Sequence, residues 1–456
     1  MKLKNICFVL MMFAGTVSAQ EVIDIHSHII IPEYISILEK HDAMMSEGFP
    51  LPEYDWDRHL KWMDEAGIQT SVLTLAAPQP YFGDIAESAK MIRRINEESA
   101  RLKKEHPGRF MFCAALPLPD VDAAIEEVKY AFDVLKADGI KLATNVHGQY
   151  LGSPELDDLF LELDKRHAVV ILHPHCPDPV NASVMAQTPL AMQEYLSETT
   201  RAVSNMISRN LLVRYPNIRV VVPHCGAYLP LAIPRMKSLT PVMREKGLVS
   251  QIDYDANLAA LYYDLAGAHS PEAIRMLLTI TTPDHLLYGS DYPYAAPQVL
   301  KAGLERMKQY LSDEKDLAPF RKMILEENAR WLFGMANKPS AKATDIKSLV
   351  VRIAEIEVYP EYLEKYLTAA RTVGAESVAR ESGVICIFPM QKKETPNLIR
   401  IVEIYRSEDA YKKHLATPHF RVYKEGTPHM IKSLELVPMQ PLDVENMNLI
   451  FKKAEK

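Results

Sequence analysis

Eight short apolar runs punctuate the chain before residue 292, and segments with helical spacing of apolar positions lie between them. The runs are Val22 to His26, Thr70 to Leu75, Phe110 to Ala115, Gly139 to Thr144, Ala168 to His173, Ile218 to His224, Leu261 to Ala266 and Leu286 to Asp291. Most are apolar at consecutive positions, as in Ala168-Val169-Val170-Ile171-Leu172. That pattern belongs to strands buried on both faces, as in a parallel sheet. The intervening segments predict helices over Asp57 to Ala66, stopped by Gly67, over Ile85 to Glu105, from Pro154 onward, and over Glu194 to Val213. Eight strands alternating with helices predict a (β/α)8 TIM barrel. An open doubly wound sheet would want a Gly-rich phosphate loop after the first strand, and none follows it.

The pattern changes after a helix expected from about Leu317 to Phe333. Residues 338–347 are polar and read as a linker. Beyond it Val350 to Val358 alternates as a strand and Pro360 to Val373 has helical spacing. Gly383 to Met390 and Leu398 to Tyr405 pair as a hairpin. Glu408 to Leu415 is helical, and Ser433 to Val437 is a last strand. This βαββαβ order predicts an α+β ferredoxin-like domain over 348–442, with a polar tail at 443–456.

Composition adds bounds. A chain of 456 residues accommodates a barrel over 20–337 and a smaller module, and 48% apolar with 24% charged residues is ordinary for a globular protein. A net charge of -7 without a basic stripe disfavours nucleic acid as a partner. Residues 1–19 read as a signal peptide: Lys2 and Lys4 precede the apolar run Ile6 to Val17, and Val17-Ser18-Ala19 offers small residues before Gln20. The run is too short to span a bilayer, so the expectation is an exported protein, periplasmic or secreted, with no membrane attachment after cleavage. Cys113, Cys176, Cys225 and Cys386 show no CxxC spacing and are expected as small packed residues rather than a disulfide framework.

The chemistry sits at strand ends. His26 and His28 close the first strand two residues apart, so both imidazoles share a face. His173 ends the fifth strand, His224 the sixth and Asp291 the eighth. In a closed barrel these ends meet at the C-terminal rim, where barrel active sites lie. His26, His28, His173 and Asp291 are therefore expected to hold one divalent metal with positions left open, and His224 to act beside it as a proton-transfer group. Each residue alone is a weak signal; their common register is the argument. Lys141, inside the fourth strand, is expected to be structural. His175 is expected past the strand end, as a candidate substrate contact, and His147 and His167 in loops or on the surface.

These residues stand in stretches that resemble the amidohydrolase superfamily, in the branch of aminocarboxymuconate-semialdehyde decarboxylase and related nonoxidative decarboxylases. The stretches are Asp24-Ile25-His26-Ser27-His28, Leu172-His173-Pro174, Val222-Pro223-His224-Cys225-Gly226, Tyr288-Gly289-Ser290-Asp291-Tyr292-Pro293, Thr199-Thr200-Arg201-Ala202 and Glu327-Asn328-Ala329. The resemblance implies the same four ligands to one metal, usually zinc with manganese as the alternative, and catalytic roles for His224 and Asp291. It implies Arg235 as a contact to a small-molecule carboxylate substrate, and a homodimer. The short Cys225-Gly226-Ala227 departs from the glycine-rich run usual there, which bears on pocket shape. Decarboxylation of a small aromatic or unsaturated acid is favoured over hydrolysis of an amide, ester or lactone. A binding protein that kept the metal without catalysis is the outsider, and the presence of His224 and Asp291 argues against it. Residues 381–420 resemble the antibiotic-biosynthesis-monooxygenase domains, through Glu381-Ser382-Gly383-Val384, Val402-Glu403-Ile404-Tyr405, Ala410-Tyr411-Lys412-Lys413-His414-Leu415 and Thr417-Pro418-His419-Phe420. That implies either a dimerisation module or a cofactorless phenol or quinol oxygenase, with His414 and Tyr405 as the polar groups of interest.

Overall fold

The computed structural model describes residues 22–181, 183, 188–267, 270–337, 349–381 and 383–440. The signal peptide expected at 1–19, the linker at 338–347 and the tail at 443–456 lie outside the described residues. Two compact units are present, one before and one after residue 338. No helix among the described residues is long and apolar enough to cross a membrane.

The first unit is the expected barrel. Its strands are β1 (Val22–His28), β2 (Ile68–Thr74), β3 (Phe110–Ala114), β4 (Gly139–Ala143), β5 (Val169–His173), β6 (Arg219–Val222), β7 (Leu261–Asp264) and β8 (Leu286–Leu287). They pair in chain order, every neighbour parallel. The segment following β8 returns to β1. The Ile25 amide donates to the Tyr288 carbonyl (3.0 Å), and the Asp291 amide donates to the His26 carbonyl (2.8 Å).

The consecutive apolar positions now have separate destinations. Ile23, Ile25, Val72, Cys113, Ile171, Val221 and Leu287 pack together inside the barrel. Val22, Leu73, Phe112, Leu142, Val170 and Leu172 pack outward under the helices. Each such side chain, fully buried, contributes roughly 1.5–3 kcal/mol.

Helix boundaries mostly follow local signals. Trp56–Ala66 starts at Asp55, whose carboxylate accepts the Arg58 amide, and stops at Gly67 with φ 71°. Ile85–Glu105 runs as expected. The helix expected over Glu194 to Val213 is instead two, Glu194–Ser208 and Leu211–Arg214. Asn210, at φ 50°, breaks it, a conformation asparagine tolerates better than most residues. The segment expected as one helix to Phe333 is a short 3₁₀ turn, Ala318–Phe320, then a π turn, Met323–Glu327, then Asn328–Leu332.

The second unit is a four-stranded antiparallel sheet: β9 (Val350–Val358), β10 (Val384–Gln391), β11 (Leu398–Tyr405) and β12 (Ile431–Met439), in the order β10-β11-β9-β12. Its helices are Leu363–Arg380, Glu408–Ala416 and Pro418–Gly426. The last was not expected. Thr417-Pro418 reads as a helix stop, but the Thr417 hydroxyl accepts the Phe420 amide and Pro418 occupies the new first turn.

Candidate metal centre

A register shift in β1 sets up the site. Asp24 pairs with Ser71 and Ser27 with Leu73, so Ile25 and His26 together face one partner residue. An extra residue of this kind reverses the strand's alternation. Ile23 and Ile25 can therefore fill the barrel floor while His26 and His28 also face the interior. A regular pleat would have put the isoleucines and the histidines on opposite faces.

His173 continues the inward face of Ile171 at the end of β5. Asp291 lies just past β8 at φ 65°, and His224 past β6 at φ 54°. Such φ values strain a non-glycine residue and here turn side chains inward at strand ends. Ligand atoms of His26, His28, His173 and Asp291 lie within 4.8 Å of one another. His28 Nε2 is 3.0 Å and His26 Nε2 3.5 Å from Asp291 Oδ1. His224 stands beside the group, its Nε2 3.7 Å from Asp291 Oδ2.

The outer nitrogens are held. His26 Nδ1 donates to Asp264 Oδ2 (2.8 Å), and His173 Nδ1 to the Pro174 carbonyl (2.9 Å). His28 Nδ1 donates to Thr74 Oγ1 (2.9 Å), whose own proton goes to the Ser27 carbonyl (3.1 Å). Each Nε2 is thereby aimed inward, the usual outer-sphere arrangement of metal-binding histidines. Burial pushes His28 down to about 4 and His173 well below the usual imidazole value, so both rings are neutral. The neutral His28 ring then presents an unprotonated Nε2 to a carboxylate oxygen, two acceptors face to face. The buried His26 Nε2 has no hydrogen-bond partner. A cation between these atoms satisfies all of them, so the residues present fit a single divalent metal.

The charges are arranged around that position. Burial opposes ionisation of Asp291, but hydrogen bonds with His224 and His28 and the nearby His26 outweigh it and hold the carboxyl well below its usual range. Burial also opposes charge on His26, but the Asp264 carboxylate overcomes it and raises the imidazole to about 9. Asp264 was missed in the sequence. It ends β7, and its Oδ1 accepts the amides of His224 and Ala266, both at 3.0 Å. One carboxylate thus orients a ligand histidine and the backbone carrying His224. An acid closing an apolar strand was the available signal.

Gly289 explains part of the Tyr288-to-Pro293 stretch. A Cβ there would lie 2.7 Å from the His26 Cβ and 3.3 Å from that of Asp264. Gly289→Ala is expected to push β1 from the eighth strand, costing about 1–3 kcal/mol of stability and part of the metal affinity. Thermal melts and bound-metal analysis check this; wild-type values for both would show that the contact is slack.

A cavity of about 860 Å³ opens over the site, with His173, His224 and Asp291 in its wall beside Phe49, Met192, Tyr195, Leu196 and Tyr294. Tyr294 packs edge-on to His28, with Phe49 against it in turn. Glu47 accepts the Cys176 amide (3.0 Å) and the Tyr195 hydroxyl (2.9 Å), tying the Phe49 loop to the end of β5. Nothing in the chain's periodicity marked these wall residues, because Phe49 and Tyr294 come from loops and Tyr195 and Leu196 from the first turn of a helix whose placement local pattern does not fix.

Of the other residues singled out, Arg235 is exposed on the helix Leu229–Glu245 and does not line the cavity. Lys141 is buried, with Nζ donating to the Ala76 carbonyl and to His175 Nε2, both at 3.1 Å; burial pulls its ammonium down to about 7. His175 is buried next to it, while His147 and His167 are exposed. All four described cysteines are free thiols, Cys113 and Cys225 buried, Cys176 and Cys386 partly so. In the second unit Tyr405 is buried and donates to Glu403 (3.1 Å), its ring 5.2 Å from that of His414.

An eight-stranded parallel barrel gathering three imidazoles and a carboxylate at the C-terminal ends of its strands defines a metal-dependent enzyme of mononuclear type. The chain belongs to the amidohydrolase family, whose model matches residues 23–335. The antibiotic biosynthesis monooxygenase model matches residues 349–426. The chain is 31% identical to decarboxylase yanB of Aspergillus niger, over 70% of its own length and 89% of that protein's. It is 29% identical to 6-methylsalicylic acid decarboxylase acuB of Aspergillus aculeatus, over 70% of its length and 98% of that protein's. The crystal structure of a dihydroxybenzoic acid decarboxylase from Polaromonas sp. JS666, with bound manganese and 2-nitroresorcinol, superposes with a TM-score of 0.58. It covers 71% of this chain and 99% of that one at 18% identity, a likeness of fold.

Proposed function

We propose that the barrel is a metal-dependent nonoxidative decarboxylase that removes CO2 from a small hydroxylated aromatic acid. The observation that carries this reading is the His26, His28, His173 and Asp291 cluster at the base of an aromatic-walled cavity. The decarboxylase relatives, one of them named for 6-methylsalicylic acid, support it.

The bound ion would supply a fixed positive charge that anchors substrate oxygens and draws electron density from the ring. Phe49, Tyr195 and Tyr294 hold the ring plane and exclude water. As the bond to the carboxyl carbon breaks, its electron pair stays on the ring carbon, CO2 leaves, and that carbon takes a proton. Asp291 is placed to deliver it. Its carboxyl, held well below its usual range, is ionised at rest, so it must be loaded with a proton before each turnover. His224, 3.7 Å away, returns the proton to Asp291 between turnovers. Arg235 is exposed on its helix and does not line this cavity, so any contact it makes with a substrate carboxylate would be at a site in a second copy of the chain.

Zinc is the ion this imidazole-rich set favours. Zinc- and manganese-loaded proteins, given a panel of 2-hydroxybenzoic acids, are expected to release one CO2 per phenol formed, zinc the more active. No CO2 from any acid, with turnover of lactones or esters instead, overturns the reading.

A further inference from the structure

Among the described residues a second group of metal-ligating side chains converges, in the C-terminal unit: Glu381, His414 and His419. We propose that these three form a second divalent-metal site, of the zinc type, independent of the barrel centre.

Three helix ends supply the ligands. Glu381 terminates Leu363–Arg380, His414 lies in the last turn of Glu408–Ala416, and His419 in the first turn of Pro418–Gly426. The tight Thr417 junction between the last two helices is what brings the two imidazoles together. Glu381 Oε1 is 2.9 Å from His414 Nδ1 and 2.6 Å from His419 Nε2. All three side chains are largely withdrawn from water: 2% of His414 is exposed, 13% of His419 and 12% of Glu381.

Two imidazoles and one carboxylate are a known three-ligand set for zinc, leaving a fourth position for water or a small ligand. Metal–ligand bonds of about 2.0–2.1 Å in a tetrahedron place ligand atoms roughly 3.4 Å apart. Each nitrogen–oxygen pair would open by roughly 0.5–0.8 Å to reach that spacing, a small side-chain rotation. In the barrel cluster the His28–Asp291 pair is likewise short, at 3.0 Å, while His26 at 3.5 Å already stands at that spacing. Burial opposes the charge on Glu381, but the two imidazoles hold its carboxyl below the usual range, so the ligand is ionised. His414 also borders a cavity of about 500 Å³, with Arg352, Tyr411, Phe420 and Tyr423. The competing account is a hydrogen-bonded triad in which Glu381 pins two helices.

The full chain equilibrated with micromolar zinc and then analysed by mass spectrometry distinguishes them. Wild type is expected to hold two zinc ions per chain. His419→Ala and Glu381→Gln are each expected to hold one, with the second affinity weakened at least 100-fold, and to keep the barrel's turnover. His419 is the less buried histidine, so its removal spares the packing. In a His26→Ala background, bound cobalt(II) is expected to show ligand-field absorption that Glu381→Gln abolishes. One zinc per wild-type chain, or two that persist in both C-terminal variants, overturns the proposal.

Discussion

Asp291→Asn is expected to lower kcat by on the order of 10³-fold or more while the fold remains intact. Asparagine matches aspartate in shape and is among the few residues that tolerate φ 65°. The change therefore removes charge and proton-carrying capacity without moving the loop after β8. Three interactions lose their electrostatic partner at once: those with His28 at 3.0 Å, His26 at 3.5 Å and His224 at 3.7 Å. Measuring kcat at saturating metal, with bound metal and circular dichroism alongside, separates the consequences. Lost turnover with metal retained assigns proton delivery to Asp291. Activity within tenfold of wild type would remove this residue from the chemistry.

Stripping the metal is expected to abolish turnover and lower the melting temperature by several degrees. An ion present at 100 times its dissociation constant stabilises the folded state by about 2.7 kcal/mol, all of it lost on removal. The pH dependence follows from His26. In the metal-free protein Asp264 holds this imidazole's pKa at about 9, so it is protonated at neutral pH. A ligand imidazole must be neutral. Metal uptake at pH 7 is therefore expected to release close to one proton per ion from His26, while neutral His28 and His173 release none. Raising the pH removes the competing proton, so affinity should climb about tenfold per unit up to roughly pH 9 and then level. Indicator-dye titration in weak buffer reads this directly. Uptake with no proton released would mean that His26 is already neutral or is not a ligand.

The residues at the barrel rim were legible because their information is local. An HxH pair, a histidine after Leu172 and an aspartate after Ser290 each end a run whose apolar character marks a buried strand, and strand ends fall at the rim of a closed barrel. The wall residues were not legible. Phe49, Tyr195 and Tyr294 reach the cavity through loops and one helix whose positions depend on contacts such as Glu47 with the Cys176 amide. Asp264 looked like any acid at a strand end until Asp264, His26 and the His224 amide were seen together. Arg235 stood out by resemblance, yet its helix turns it to solvent.

By itself the sequence determined the number and order of the strands, because burial on both faces demands continuous apolar runs, and it determined which residue types stand at their ends. Tertiary structure alone decided how those ends aim. The shift at Ile25 and His26 reverses the alternation of β1, and positive φ values at His224 and Asp291 turn their side chains inward. Such conformations are unfavourable locally, so no local pattern encodes them. They persist because packing across the closed barrel, Gly289 against His26 included, leaves the chain no other arrangement.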